Sequence, residues 1–191
     1  MKRISLVKEA HNLIKDKLQP GDIAIDATVG NGHDTLFLLE HIMPTGRVYG
    51  FDIQQAALDS ARARCEQFSR PDCLTLIHAS HARMTEKIPG QQHGKISVIM
   101  FNLGYLPGGD KSIITQTDST LQALNSASRL LTPGGLITIL AYPGHAGGDR
   151  ETEQVEHWCG QLDKQAFKVD TIYGAEHKDS APRLFVVRKT Q

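Results

Sequence analysis

The stretch IDATVGNGHDT, Ile25 to Thr35, decides the fold. It follows an apolar run that begins near Asp22 and leads into a segment whose apolar residues recur at helical spacing, so Gly30 and Gly32 stand in a strand-to-helix turn. Lacking a Cβ atom, such backbone can pass close to a ligand, and the unpaired N–H groups of a helix beginning near Asp34 suit an anionic group. Asp26, at the end of the strand, is expected to hold the loop or a ligand's amino group through hydrogen bonds.

Upstream, Leu6, Val7, Ala10, Leu13, Ile14 and Leu18 follow helical spacing from Ser5 to Leu18, and Pro20-Gly21 stop the helix. Downstream, short apolar runs at Asp22–Ala27, Arg47–Asp52, Cys73–His78, Lys95–Asn102 and Leu136–Tyr142 alternate with helical patterns at Asp34–Ile42, Gln54–Phe68, Ala82–Lys87 and Thr117–Leu131. That alternation predicts a parallel sheet covered by helices on both faces. A Gly-rich loop then leads to a helix at about Arg150–Gln165 and two strands, Phe167–Tyr173 and Arg183–Lys189. Their polar connection of about nine residues is too short for a crossover helix, so these strands are expected to be antiparallel. The predicted fold is α/β and Rossmann-like, a mostly parallel seven-stranded sheet with a C-terminal antiparallel hairpin. This is the plan of class I methyltransferases, here expected as one domain over residues 1–191 with an N-terminal helix in residues 1–20 packing on it.

Composition agrees with a globular chain. The 191 residues carry 21 basic and 21 acidic side chains and are 40% hydrophobic, which excludes a strongly basic coat for nucleic acid but not a local RNA-binding patch. Three cysteines, Cys65, Cys73 and Cys159, lack CxxC spacing and suggest neither a disulfide framework nor a thiolate zinc site. The opening residues have no signal-peptide core and no later run approaches the ~20 apolar residues of a membrane span, so a soluble, cytoplasmic protein is expected. His78 and His81 lie three positions apart, but no matching ligand set converges with them by spacing and no metal is expected.

Asp52 ends the second strand, 26 residues beyond Asp26, where doubly wound sheets place the carboxylate that accepts both ribose hydroxyls of a nucleoside. Gly30-Asn31-Gly32-His33-Asp34-Thr35 departs from GxGxxG only at its last position, so a nicotinamide dinucleotide remains open. Acidic Asp26 and Asp34 are awkward beside a pyrophosphate, and together with the predicted hairpin they favour S-adenosylmethionine, which carries no phosphate.

The fourth strand delivers the chain to Asn102-Leu103-Gly104-Tyr105-Leu106-Pro107-Gly108-Gly109-Asp110-Lys111, a loop beyond the carboxyl end of the sheet where the reactive end of a cofactor lies. Asn followed by Tyr-Leu-Pro is similar to the Asn-Pro-Pro-Tyr loop of amino-directed methyltransferases, in which an amide oxygen and a backbone carbonyl orient the substrate amine. Alignment supplies the rate in such a transfer because the methyl donor is already activated. Asn102 is expected to orient a nitrogen, Tyr105 to shape or stack the pocket, and Lys111 to meet phosphate if the substrate is nucleic acid. A third loop, Tyr142-Pro143-Gly144-His145, offers His145 as an acceptor for the proton an attacking amine loses.

With these loops in hand, the sequence resembles the rRNA methylase family, small class I methyltransferases related to the enzyme that methylates the aminomethyl group of wobble uridine in tRNA. ATVGNGHDTLFL at Ala27–Leu38, GFDIQ at Gly50–Gln54, FNLGYLPGGDK at Phe101–Lys111 and the Tyr142, Gly144-His145 loop carry the resemblance, which covers nearly the whole chain. It implies an S-adenosylmethionine-dependent enzyme that converts 5-aminomethyl-2-thiouridine in tRNA to its methylaminomethyl form. The implied partner is the tRNA anticodon arm, with no membrane and no metal, and with a homodimer left open. The implied cofactor-binding set is Asp26, Thr28, Gly30, Asn31, Gly32, His33, Asp34, Thr35, Asp52, Gln54, Ser80, His81, Asn102 and Gly104. Leu106, Asp110, Lys111 and Tyr142 are the implied substrate residues, and Asn102, Tyr105 and His145 the catalytic ones.

An alkylammonium with a pKa near about 10 must lose a proton before it attacks, and water, His145 and Asp110 are candidates to take it. The chain departs from the family near its C-terminus, where an Asn-x-Pro-Pro run is replaced by Ser180-Ala181-Pro182-Arg183-Leu184. Arg183 beside Lys178, and the N-terminal Lys2, Arg3, Lys8, Lys15 and Lys17, are candidates for RNA backbone. Competing readings are an rRNA or other amine or amide acceptor, a non-catalytic S-adenosylmethionine- or RNA-binding module, and a nicotinamide-dependent dehydrogenase.

Overall fold

The computed structural model describes residues 5–68, 72–106, 108–109, 113–144, 146–174 and 181–190. Asp110, Lys111, His145, Lys2, Arg3, Lys178 and Ser180, all singled out from sequence, lie outside the described residues. Helices α1 (Leu6–Lys15), α2 (His33–Ile42), α3 (Gln55–Arg64), α4 (Met84–Lys87), α5 (Thr117–Leu130) and α6 (Gly148–Gln161) surround strands β1 (Ile23–Asp26), β2 (Arg47–Asp52), β3 (Leu74–His78), β4 (Ile96–Asn102), β5 (Leu131–Ala141), β6 (Phe167–Tyr173) and β7 (Arg183–Lys189). The sheet order is β3-β2-β1-β4-β5-β7-β6. β7 runs antiparallel to both β5 and β6, while the neighbours from β3 to β5 are parallel, so the predicted class I methyltransferase sheet is the one observed.

Several elements differ in extent from their sequence reading: α1 ends at Lys15 rather than Leu18, α6 at Gln161 rather than Gln165, and the helix read at Ala82–Lys87 is a tight turn at His81–Arg83 followed by α4. β5 begins at Leu131 rather than Leu136, because the Thr132-Pro133-Gly134-Gly135 segment forms an irregularity within the strand: Ile96 pairs with Leu131 and Val98 with Leu136. α3 stops at Arg64, and a separate tight turn at Glu66–Phe68 continues from it.

Period-two alternation along the strands sorts their side chains onto two faces. Ile25, Phe51, Ile99, Phe101, Ile139 and Phe185 pack under α4, α5 and α6. Ala24, Val48, Val98, Met100, Leu140 and Val186 pack under α1 and α2, with Leu6, Ala10 and Ile14 supplied by α1 and Leu38, Leu39 and Ile42 by α2. Continuing the second series to the strand ends brings Asp26, Asn102 and Tyr142 onto the α1–α2 face at the carboxyl ends of three adjacent strands or just past them. Backbone alternation therefore gathers these three polar groups from distant sequence positions.

Candidate active site

A cavity of about 1050 Å³ opens at that edge. Thr28, Gly30, Asn31, His33 and Asp34 from the first loop line it, with Asp52 and Gln54 after β2, Ser80 and His81 after β3, Asn102, Gly104, Tyr105 and Leu106 after β4, and Tyr142 after β5. Three residues of the expected cofactor set do not line it. Asp26 and Thr35 are fully buried behind the loop, bonded to each other at 2.6 Å, and Gly32 faces α3, where an added Cβ would meet the Cα of Ala61 at 2.5 Å. The glycine that opens space toward the cavity is thus Gly30; Gly32, at φ 77° as the N-cap of α2, serves helix–helix approach.

Asp52 holds the first loop and the start of α3 together. Its Oδ2 accepts from the Gly30 N–H and its Oδ1 from the Gln54 N–H, both at 2.9 Å. Each oxygen keeps a second lone pair for a ligand hydroxyl. Below it, Thr35 Oγ1 and the Thr28 N–H donate to Asp26. Burial, reinforced by the negative charge of Asp34, pushes the Asp26 carboxyl up to about 7.

On the opposite wall, His81 is buried, and its pKa is lowered by desolvation against the Ala27 carbonyl and the Asp52 charge, which act the other way. Nδ1 lies 3.1 Å from the Ala27 carbonyl oxygen and so carries the hydrogen, which leaves Nε2 an acceptor at the cavity wall. His78, by contrast, donates from Nε2 to the Ile53 carbonyl at 2.9 Å. Among the described residues no three His, Cys, Asp or Glu side chains cluster to hold a metal.

Asn102 occupies the crossing of three elements. Its backbone N–H donates to Thr28 Oγ1 at 2.7 Å, and its side-chain Nδ2 donates to Asp34 Oδ2. The other Asp34 oxygen accepts from His11 Nε2 at 2.6 Å, and the His11 ring stacks on Phe37 with centroids 3.9 Å apart. Sequence reasoning missed His11 because the face of α1 that meets the sheet is visible in its apolar spacing, whereas the place on the sheet where it docks is not. Burial, with the Asp34 charge, keeps the Tyr142 phenol neutral.

Beyond Asn102 the chain forms a finger. Gly104 N–H donates to Thr115 Oγ1 at 2.9 Å, Thr115 N–H to the Gly104 carbonyl at 2.8 Å, and Tyr105 bridges Ile114. Glu151, at the start of α6 and 3% exposed, anchors the finger: its two oxygens accept from Thr115 Oγ1 and Thr120 Oγ1, each at 2.7 Å. Four exposed apolar side chains, Val7, Ile53, Tyr105 and Ile113, line the same cavity, as do Lys8 on α1 and Pro182 just before β7. Arg183, read as a candidate for RNA backbone, is ion-paired with Glu156 at 2.7 Å and lies over the Tyr173 ring.

Three comparisons bear on this geometry. The sequence model of the family described as "Putative rRNA methylase" matches residues 48–188. A chloroplastic tRNA (mnm(5)s(2)U34)-methyltransferase of Arabidopsis thaliana is 44% identical over 155 residues, covering 77% of this chain and 56% of its own length. The ribosomal RNA small subunit methyltransferase H of Acinetobacter baumannii is 29% identical, covering 95% of this chain and 64% of its own. The chain therefore spans only a little over half the length of these relatives.

Among solved structures, a Clostridium thermocellum protein described as a "putative rRNA-methylase" superposes with TM-score 0.91 at 35% identity, covering 99% of this chain and all of its own. A "putative methyltransferase" from Streptococcus mutans in complex with SAH superposes with TM-score 0.84 at 32% identity, covering 97% of this chain and 98% of its own.

Proposed function

Because the chain belongs to the rRNA methylase family, we propose that it is an S-adenosylmethionine-dependent N-methyltransferase acting on the 5-aminomethyl group of wobble 5-aminomethyl-2-thiouridine in tRNA. The observation that carries this reading is Asn102: its amide nitrogen is committed to Asp34, so the group it can offer a substrate is a carbonyl oxygen, an acceptor for the N–H bonds of an amine.

The first loop fits the cofactor. Asp52 has lone pairs for ribose hydroxyls, the uncapped N-terminus of α2 suits a carboxylate, and Asp26, buried behind the loop, holds it through Thr28 and Thr35. The cofactor supplies an activated methyl group on a sulfonium. The protein's part is alignment: Asn102 turns the acceptor nitrogen toward the site of transfer, and Tyr105, 40% exposed at the rim, offers a face on which a splayed-out base can stack. The cavity of about 1050 Å³ exceeds what a single small ligand requires, leaving room for a nucleotide beside the cofactor.

Lys8, which lines the cavity, and Lys15, one helical turn past His11, are exposed on the side of α1 that carries His11 and suit the phosphates of the anticodon arm. No helix among the described residues is long and apolar enough to cross a membrane.

The test is methyl transfer from labelled S-adenosylmethionine to tRNA lacking this modification, read by mass spectrometry of its nucleosides, with rRNA and total protein as parallel acceptors. Conversion of the aminomethyl to the methylaminomethyl nucleoside is expected. Label entering rRNA alone refutes the tRNA assignment. N102A should lose roughly a hundredfold or more in kcat, as expected when an interaction that aligns the reacting atoms is removed, while still binding S-adenosylhomocysteine.

A further inference from the structure

The Asp34 carboxylate sits at the first turn of α2, 7% exposed, with both oxygens occupied by side chains from other elements: His11 of α1 on Oδ1 and Asn102 of β4 on Oδ2. A carboxylate accepts and does not donate, so the group facing it on either side must be an N–H. An amide that presents its NH2 to a carboxylate has lost the freedom to flip. The His11 ring, stacked on Phe37 at an interplanar angle of 4°, holds the carboxylate from the far side, so the chain His11–Asp34–Asn102 is fixed at one end by stacking and at the other by the backbone bond of Asn102 to Thr28. Neither His11 nor this use of Asp34 follows from a cofactor-binding role for the first loop.

We propose that Asp34, clamped by His11 of the N-terminal helix, is the positioning residue that fixes the amide of Asn102 with its carbonyl oxygen left for the acceptor nitrogen. The inference rests on the reading of Asn102 given above. It makes α1 part of the catalytic apparatus rather than a cover for the sheet, and it sets an acceptor preference. With Asn102 held as an acceptor, a nitrogen bearing N–H bonds gains a hydrogen bond, and the adjacent negative charge favours the approach of an ammonium. An acceptor atom without a hydrogen meets two acceptors and gains nothing. In D34N the side chain at position 34 can either donate or accept, and the Asn102 amide regains both orientations.

Two measurements test this. In the first, the side-chain NH2 resonances of Asn102, identified as the pair missing from N102S, are followed in 15N-labelled protein without substrate. They are expected to lie downfield and exchange slowly in the wild type, to lose both features in D34N, and to lose them in part in H11A. Unchanged resonances in D34N overturn the proposal whatever the substrate proves to be. In the second, kcat is expected to fall about tenfold or more in D34N and H11A, the loss set by one charge-assisted hydrogen bond, with S-adenosylhomocysteine affinity within about twofold of wild type.

H11Q, whose Nε2 can take the place of the imidazole Nε2, should recover most of what H11A loses; a merely packing role for the ring on Phe37 would not be rescued in this way. Cofactor affinity falling in step with kcat would assign Asp34 to the cofactor instead and overturn the proposal. A wild-type protein that methylates no tRNA but shows the expected Asn102 resonances fails the substrate reading and leaves the positioning role standing.

Discussion

The turn after β1 and the finger after β4 face each other across one cavity, yet they are held by different means. The first is tied down through its own backbone: Val29 N–H donates to the Phe51 carbonyl, Gly30 N–H to the Asp52 carboxylate, and the Asn31 carbonyl accepts from the Arg64 side chain of α3. The second depends on side chains that arrive from far along the chain, Thr115 and Glu151 for the finger and Asp34 for Asn102. A turn bonded through its own backbone presents one shape to any ligand that fits, which suits a cofactor common to many enzymes. A finger pinned by a few replaceable side chains can vary while the sheet beneath it stays the same, which suits the acceptor.

The comparison is broken most severely at Asp52. D52A removes the acceptor for two loop N–H groups as well as the lone pairs meant for ribose, and should weaken S-adenosylhomocysteine binding by about 1–3 kcal/mol, the range for lost charge-assisted hydrogen bonds. Isothermal titration measures it directly. An affinity equal to wild type would remove Asp52 from the cofactor site and undo the division between the two loops.

The finger should respond in the other direction. E151A leaves the Thr115 and Thr120 hydroxyls without their buried partner and frees the finger from α6, so kcat/KM for tRNA should drop about tenfold, the equivalent of roughly one hydrogen bond of alignment. Cofactor affinity should stay within about twofold, because the Glu151 carboxylate is bonded to Thr115 and Thr120, outside the first loop. If both affinities fall together, the finger and the turn are one cooperative unit and the contrast drawn here is lost.

The same contrast decides what sequence can reveal. Gly30, Asp52 and the strand ends were legible because a βα turn and its following carboxylate are local patterns with a fixed physical purpose, and alternation along β1 and β4 sends Asp26 and Asn102 to the same face. The reversed direction of the last two strands was legible for a similar reason: a nine-residue link between β6 and β7 is too short for a crossover helix. What sequence could not convey was contact between separate elements. His11 is one residue past the buried Ala10, at the border of the apolar stripe of α1, and looks like any polar flank until the helix is docked on β5 and β7. Glu151 sits in the first turn of α6, where acidic residues are common for helix-dipole reasons alone, so its reach to Thr115 leaves no separate mark. Gly32 shows the converse, a familiar pattern position whose space is used by Ala61 rather than by a ligand.

The smallest effect sharpens the account of the first loop. The Asp26 carboxyl ionises near 3.8 when exposed and at about 7 in the fold, chiefly because burial penalises its charge and secondarily because Asp34 repels it, while Thr35 and Thr28 oppose the shift. A carboxyl raised in this way contributes stability that is complete below the unfolded value and is lost as pH rises through the folded one, since the unfolded chain releases its proton first. The melting temperature of the wild type should therefore decline relative to D26N between pH 3.8 and about 7, and run parallel to it above. An amino group seated over Asp26 would favour the ionised carboxylate and lower its pKa. The stabilisation conferred by S-adenosylhomocysteine on the wild type should then grow with pH across that window, and D26N should show no such growth. Equal ligand stabilisation at both ends of the window in the wild type would mean that Asp26 holds only Thr28 and Thr35, and that the charge complementing the amino group comes from another carboxylate of the cavity.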